Sequence, residues 1–315
     1  MRSPRLLWTF TVVAAAFACT NGGGGAKPPA PPPAAEPAPK PAPKPAPKPT
    51  SSAGLTAFPT VDLDGMGPAE REAFVALMNE EICPCGCPRS FAACLQEGTR
   101  CQPAVLLAGW AAEQLKQGLP ADVVGEMIAG EVGGFSSKPK EISVAGYGTK
   151  GAKNPRYLIV EFADFECAHC KSAAPVLERL VEKYPDKVRV VFKHFPLSFH
   201  AMAKRAAAAV EAAGNQGRFW EMHDAIFATQ NLLDDELILG HAKALGLDVD
   251  RFEKDWNDPS TVAKVEQSRK EGEALGIEAT PAVFVNGRPF GLMRTLDALE
   301  LRLAMEEARA SSSCQ

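Results

Sequence analysis

"IVEFADFECAHC", Ile159 to Cys170, decides how the rest of the chain is read. Its first half is an apolar run rich in β-branched and aromatic residues, the composition of a buried strand. Its second half sets Cys167 and Cys170 two residues apart, with Ala168 and His169 between them. The residues that follow, to Tyr184, carry apolar positions at helical spacing. Cys167 therefore falls where a strand ends and a helix begins, and Cys170 lies in the first helical turn. Such a pair can be an inert bridge, half of a zinc site, or a dithiol that is oxidised and reduced reversibly. The unpaired amides and partial positive charge of a helix N-terminus stabilise a thiolate, and the thiolate is the attacking species in disulfide exchange. His169 adds a hydrogen-bond donor or a positive charge beside the same sulfur. Structural zinc needs a second pair of ligands at finger-like spacing, and none follows nearby. The expectation is a reversible dithiol, with Cys167, Cys170 and His169 as candidate catalytic residues and no metal.

Outward from this stretch, strands and helices alternate from Glu141 onward. "RYLIVEFA" and "KVRVVFKHF" read as strands, and helical segments fill about 199–276. "PAVFVNG" reads as a short strand with a turn at Asn286-Gly287, and Thr295–Ala310 as an amphipathic helix. This order predicts an α/β domain with a mixed sheet and a long helical insertion.

Three stretches in order, "IVEFADFECAHC", "FKHFPLSFHAMAKRAAAAVEAAGNQGRFWEMHDAIF" and "LGIEATPAVFVNG", resemble the DsbA-like thiol–disulfide oxidoreductases. The resemblance covers about 155–310 and implies a thioredoxin-like fold, with the insertion at about 199–276 of a domain spanning 138–310. It also implies roles. Cys167 would be the attacking, more exposed cysteine and Cys170 the resolving one. Glu161 matches a buried carboxylate that shuttles the proton of Cys170. Thr280-Pro281 matches a loop whose proline is cis, beside which free backbone pairs with an extended substrate strand. Phe195-Pro196-Leu197 and His200 match residues at the entry to the insertion and are read as packing. Ala168 stands where many members have proline, so the direction of electron flow stays open.

Residues 55–137 read as a small all-α domain, with helices starting at Pro68, near Pro103 and at Leu119-Pro120. Cys83, Cys85, Cys87, Cys94 and Cys101 lie between the first two. The segment 75–135 is similar to the helical domain of the cytochrome c maturation protein CcmH, which implies thiol exchange with apocytochrome. The spacing here, Cys-x-Cys-x-Cys, departs from that family's Cys-x-x-Cys. Structural bridges, soft-metal binding and a second redox pair all remain readings of these cysteines. Five is an odd number, so one thiol is left over unless Cys314 pairs with it.

The ends complete the picture. Arg2 and Arg5 precede the apolar run Leu6–Ala18, which reads as a signal peptide over 1–18. Thirteen residues are too few for a spanning helix, which needs roughly 20. Cys19 after Ala16-Phe17-Ala18 is the expected lipidation site of a lipoprotein, with ordinary cleavage after Ala18 as the alternative. Residues 19–54, rich in Gly, Pro and Lys, form a tether that cannot bury a core, and 311–315 a disordered tail. Export to an oxidising envelope compartment such as a bacterial periplasm makes disulfides the natural state of nine cysteines. A net charge of −4 with no basic stripe gives no case for nucleic acid.

The expected activity is thiol–disulfide exchange on cysteines of exported proteins. No cofactor is expected, because the electrons reside in the sulfurs. A redox partner that resets the dithiol is implied, as is a membrane contact through the anchor. The rival readings are a reductase or isomerase in cytochrome c maturation, and a metal-binding or chaperone-like module without turnover.

Overall fold

In the computed structural model, which describes residues 56–96 and 101–309, the chain begins with helices α1 (Pro68–Glu80), α2 (Phe91–Gln96), α3 (Gln102–Lys116) and α4 (Ala121–Ser136). The signal peptide, Cys19, the tether and Cys314 lie outside the described residues. Next come β1 (Gly148–Gly151), β2 (Tyr157–Ala163), α5 (Ala168–Lys183) and β3 (Val188–His194). Helices α6 (Ala203–Gly214), α7 (Phe219–Ala228), α8 (Asp235–Ala244), α9 (Val249–Trp256) and α10 (Pro259–Ala274) form the insertion. Strands β4 (Ala282–Val285) and β5 (Arg288–Pro289) and helix α11 (Leu296–Ala308) close the fold.

The sheet order is β1-β3-β2-β4-β5. Strand β2 runs parallel to β3 and antiparallel to β4, the mixed sheet that the sequence predicts. All but one residue of β2 is buried, as its apolar run, broken only by Glu161, requires of a strand covered on both faces. Its period of two separates the cores. Tyr157 and Ile159 join a cluster with α5 and α11, while Val160 and Phe162 pack with Phe195, Ile277 and Phe284 on the other face. Glu161 continues the Tyr157–Ile159 face and so points toward α5.

The sequence pattern gave no sign of two strands and one helix. Strand β1, "GTKG", has no apolar alternation and exists through its antiparallel pairing with β3. Strand β5 is two residues long, set by the hairpin before it. There Asn286 has φ 49° and Gly287 φ 76°, the left-handed pair that a tight two-residue turn demands. Helix α2, the fourth in a region expected to hold three, starts beside Ser90, whose Oγ accepts from the Ala93 amide at 3.2 Å.

The insertion is centred on α6, where Ala206–Ala213 are all buried. Small side chains let α7, α9 and α10 approach it closely. Asp234, Asp248 and Asp258 cap α8, α9 and α10, each accepting a backbone N–H within the first turn.

The N-terminal helices share a core with the sheet. Phe74, Leu107, Val124 and Ile128 belong to the cluster that holds Ile159, Val283 and Leu299. Helix α4 lies so close to β5 that a Cβ on Gly134 would sit 2.2 Å from the Pro289 carbonyl oxygen. An ion pair seals this contact: Arg302 Nη1 donates to Glu131 Oε1 at 2.7 Å, with both side chains wholly buried.

Candidate active site

Helix α5 begins at Ala168 with Cys167 as its N-cap, so the strand–helix junction inferred from the sequence is the one observed. Cys170, in the first turn, is fully buried, and Cys167 is 9 % exposed. Both are free thiols. When protonated, the Cys167 Sγ donates to the Thr280 carbonyl oxygen at 3.3 Å, and the Asp164 amide donates to the Cys170 Sγ at 3.5 Å. The Thr280–Pro281 peptide is cis. Cys167, Cys170 and Thr280-Pro281, far apart in sequence, therefore meet at one place. His169 is exposed beside them, and its backbone amide donates to the Cys167 sulfur.

The electrostatics separate the two sulfurs. The Cys170 thiol donating to Cys167 is the main cause that brings the Cys167 pKa down to about 5. Burial opposes the shift; the Thr280 side chain and the amides of Cys170 and His169 support it. Burial, together with that same hydrogen bond, pushes the Cys170 thiol well above the ordinary range. One sulfur is thus a thiolate at neutral pH and the other a thiol, which is the division of labour that attack and resolution require.

A depressed acid has a definite sign in the linkage between protonation and folding. Ionised Cys167 stabilises the reduced protein fully above the ordinary thiol value of 9.0, and the contribution is lost as pH falls through about 5. Alkylation of the reduced full chain is expected to show a pH midpoint near 5 for Cys167. A midpoint near 9 would rule out the stabilised thiolate.

Glu161 is 2 % exposed, and burial pushes its carboxyl up to about 8. Arg294 opposes this, and the charge of Cys167 adds to it. At neutral pH Glu161 is a neutral acid, able to give a proton to a nascent Cys170 thiolate.

Two contributors were not expected. Arg294 donates from Nη2 to the Pro281 carbonyl at 2.9 Å, bracing the loop that faces Cys167. Asp164 accepts from the amides of Glu166 and Leu197, each at 2.7 Å, and pairs with His200 Nδ1 at 2.9 Å. These bonds tie the residue before Phe165 to Leu197 and His200 at the entry to the insertion. Arg294 sits in a loop without a motif; Asp164 lies inside the quoted stretch but reads there as an ordinary strand-end residue.

The helical-region cysteines form a different group. Bridges join Cys83 to Cys94 and Cys85 to Cys101. Cys87 is disulfide-bonded as well, so none of these five is a free thiol; Cys314, the alternative partner for the odd cysteine, lies outside the described residues. The sulfurs of Cys83, Cys94 and Cys101 lie within 4.8 Å of one another, but as disulfides they offer no thiolate to a metal. Cys83 and Cys101 pack in the cluster of α1 and α3, whereas Cys167 and Cys170 pack with α6 and α7.

A family model described as "Thioredoxin" matches residues 146–303. The Na(+)/H(+) antiporter NhaA of Herminiimonas arsenicoxydans is 37 % identical over 166 residues, 53 % of this chain and 26 % of the relative. The chain thus spans about a quarter of the length of that curated relative. Among the described residues, no helix is long and apolar enough to cross a membrane. A thioredoxin-like oxidoreductase from Silicibacter pomeroyi DSS-3 is 26 % identical, with a TM-score of 0.45, covering 53 % of this chain and 94 % of that one. DsbA2 of Pseudomonas aeruginosa is 32 % identical, with a TM-score of 0.38, covering 45 % and 83 %.

Proposed function

Since this chain belongs to the thioredoxin family that its residues 146–303 match, we propose that it is an exported thiol–disulfide oxidoreductase whose oxidised Cys167–Cys170 pair accepts electrons from cysteines of extracytoplasmic proteins. The observation that carries this reading is the paired thiol and thiolate at the start of α5, with Cys167 lowered to about 5. Stabilising that thiolate stabilises the reduced form, which makes the disulfide a better oxidant.

The steps follow from the geometry. A substrate thiolate attacks the Cys167 Sγ and breaks the Cys167–Cys170 bond, and the departing Cys170 sulfur takes a proton from Glu161. A second substrate thiolate attacks the substrate sulfur of this mixed disulfide. A substrate disulfide forms and the Cys167 thiolate leaves. Two electrons then rest on the pair and pass to a separate redox partner. Thr280-Pro281, beside Cys167, is where an extended substrate segment would lie. Export and the anchor at Cys19 rest on the sequence of residues 1–19, and the envelope location follows from them.

Equilibrating the full chain in graded glutathione buffers, trapping thiols and weighing the peptide that spans Cys167 and Cys170 tests the proposal. A midpoint nearer about −120 mV than about −270 mV is expected. A value near the lower figure would reverse the direction of electron flow, and a pair that never titrates would overturn the redox reading.

A further inference from the structure

A buried acid that gives its proton to Cys170 must be recharged from solvent, and Glu161 has no direct contact with it. The protein holds a small cavity of about 20 Å³ bordered by Glu161, Lys150 of β1, Glu178 of α5 and His223 and Asp224 of α7. A space of this size takes about one water molecule. Two polar atoms on its border lack any hydrogen-bond partner, Glu161 Oε1 and His223 Nε2. Their residues are 2 % and 3 % exposed. Leaving two such atoms unpaired is costly, and a water with partners on both sides satisfies each.

We infer that His223 is the group through which Glu161 exchanges its proton with solvent, by way of one water held between them. The inference rests on the redox reading above. His223 Nδ1 lies 2.7 Å from Asp224 Oδ1. An ionised carboxylate only accepts, so Nδ1 carries the ring proton and Nε2 presents a lone pair. Burial holds His223 below its usual range, against the pull of Asp224 and with Lys150 and His194 adding to the shift, so the ring is neutral at pH 7.

In the outward direction Glu161 gives its proton to the water, and the water gives one to Nε2. The imidazolium then releases its Nδ1 proton to Asp224, whose side chain is 55 % exposed and passes it to bulk water. Recharging runs the same transfers backward, and no electron moves. His223 is a positioning residue for the proton of Glu161 and touches neither sulfur.

The test is repeated-turnover oxidation of a dithiol peptide by the full chain with oxidised glutathione as the terminal oxidant, followed from pH 6 to 9, because Glu161 is recharged between turnovers. His223→Gln is expected to slow the proton-coupled step by roughly 10-fold, less than the 10²–10⁴ of a positioned acid itself. The Cys167 alkylation midpoint should stay at its wild-type value. In the Glu161→Gln background the second change should add almost nothing, because there is no proton left to relay. Unchanged rates in His223→Gln, or equal slowing in both backgrounds, would overturn the relay.

An infrared measurement on the wild type needs no folded His223 variant. The carbonyl band of protonated Glu161, identified by its loss in Glu161→Gln, should lie at a hydrogen-bonded position. A band at the free-carboxyl position would overturn the proposal. A wild type that exchanges no disulfide would remove the redox reading itself, whereas an active wild type insensitive to His223→Gln would remove only the relay.

Discussion

Cys170→Ser is expected to accumulate the chain as mixed disulfides with its substrates, while Cys167→Ser forms none and loses exchange by on the order of 10³-fold or more. Cys167 lies at the surface end of the pair, and the fully buried Cys170 has no route to a protein substrate. Without Cys170 the Cys167 thiolate can still open a substrate disulfide, and the mixed disulfide so formed has no internal thiol to release it by the reverse reaction. The choice of serine matters, because the Cys170 side chain is the chief donor that lowers Cys167. Serine keeps a donor there, whereas Cys170→Ala removes it. The alanine variant should therefore trap more slowly at pH 7, with its alkylation midpoint moved upward. Non-reducing electrophoresis and mass spectrometry of the trapped species would read both outcomes. Mixed disulfides on Cys167→Ser, or equal trapping by the two Cys170 variants, would contradict the assignment.

Arg302→Met is expected to destabilise the whole described fold by about 3–5 kcal/mol, the usual consequence of leaving a buried charge without its partner. Arg302 contacts Glu131, Glu306 and the Pro289 carbonyl at once. Glu131 also accepts the Gly291 amide at 2.8 Å. One guanidinium thereby ties α4 to the β5 hairpin and α11. The double variant Glu131→Gln with Arg302→Met should recover a large part of the loss, because no lone charge is then left inside. Urea unfolding of the three proteins would show the difference. A single transition that shifts is the expected form, since the N-terminal helices and the sheet share one core; two separate transitions would show that they unfold independently.

Much of this was legible in the chain itself, for identifiable reasons. An apolar run broken only by Glu161 reads as a central strand, and a cysteine a few residues beyond it falls at the start of the following helix. The carboxylate at Glu161 and the loop at Thr280-Pro281 were found through the resemblance of ordered motifs. What stayed hidden depended on contacts between residues far apart in sequence. Strand β1 has no pattern of its own and forms because β3 offers an edge. Arg294 and His223 stand 127 and 56 residues after Cys167, in stretches that read as a plain loop and an ordinary amphipathic helix. The pairing of Cys83 with Cys94 rather than a nearer cysteine is set by where α2 places Cys94, and α2 was not foreseen.

The short outer strands bear on the proposed handling of extended polypeptide substrates. A protein that handles extended chains meets many free strands, and any open sheet edge invites them to stick. Here β5 is two residues long and lies against α4, and β1 at the opposite edge is four residues long with a glycine at each end. Neither edge gives a visiting chain a long run of partners. On the proposed function, this would leave the loop beside Cys167 as the place for a visiting chain to bind.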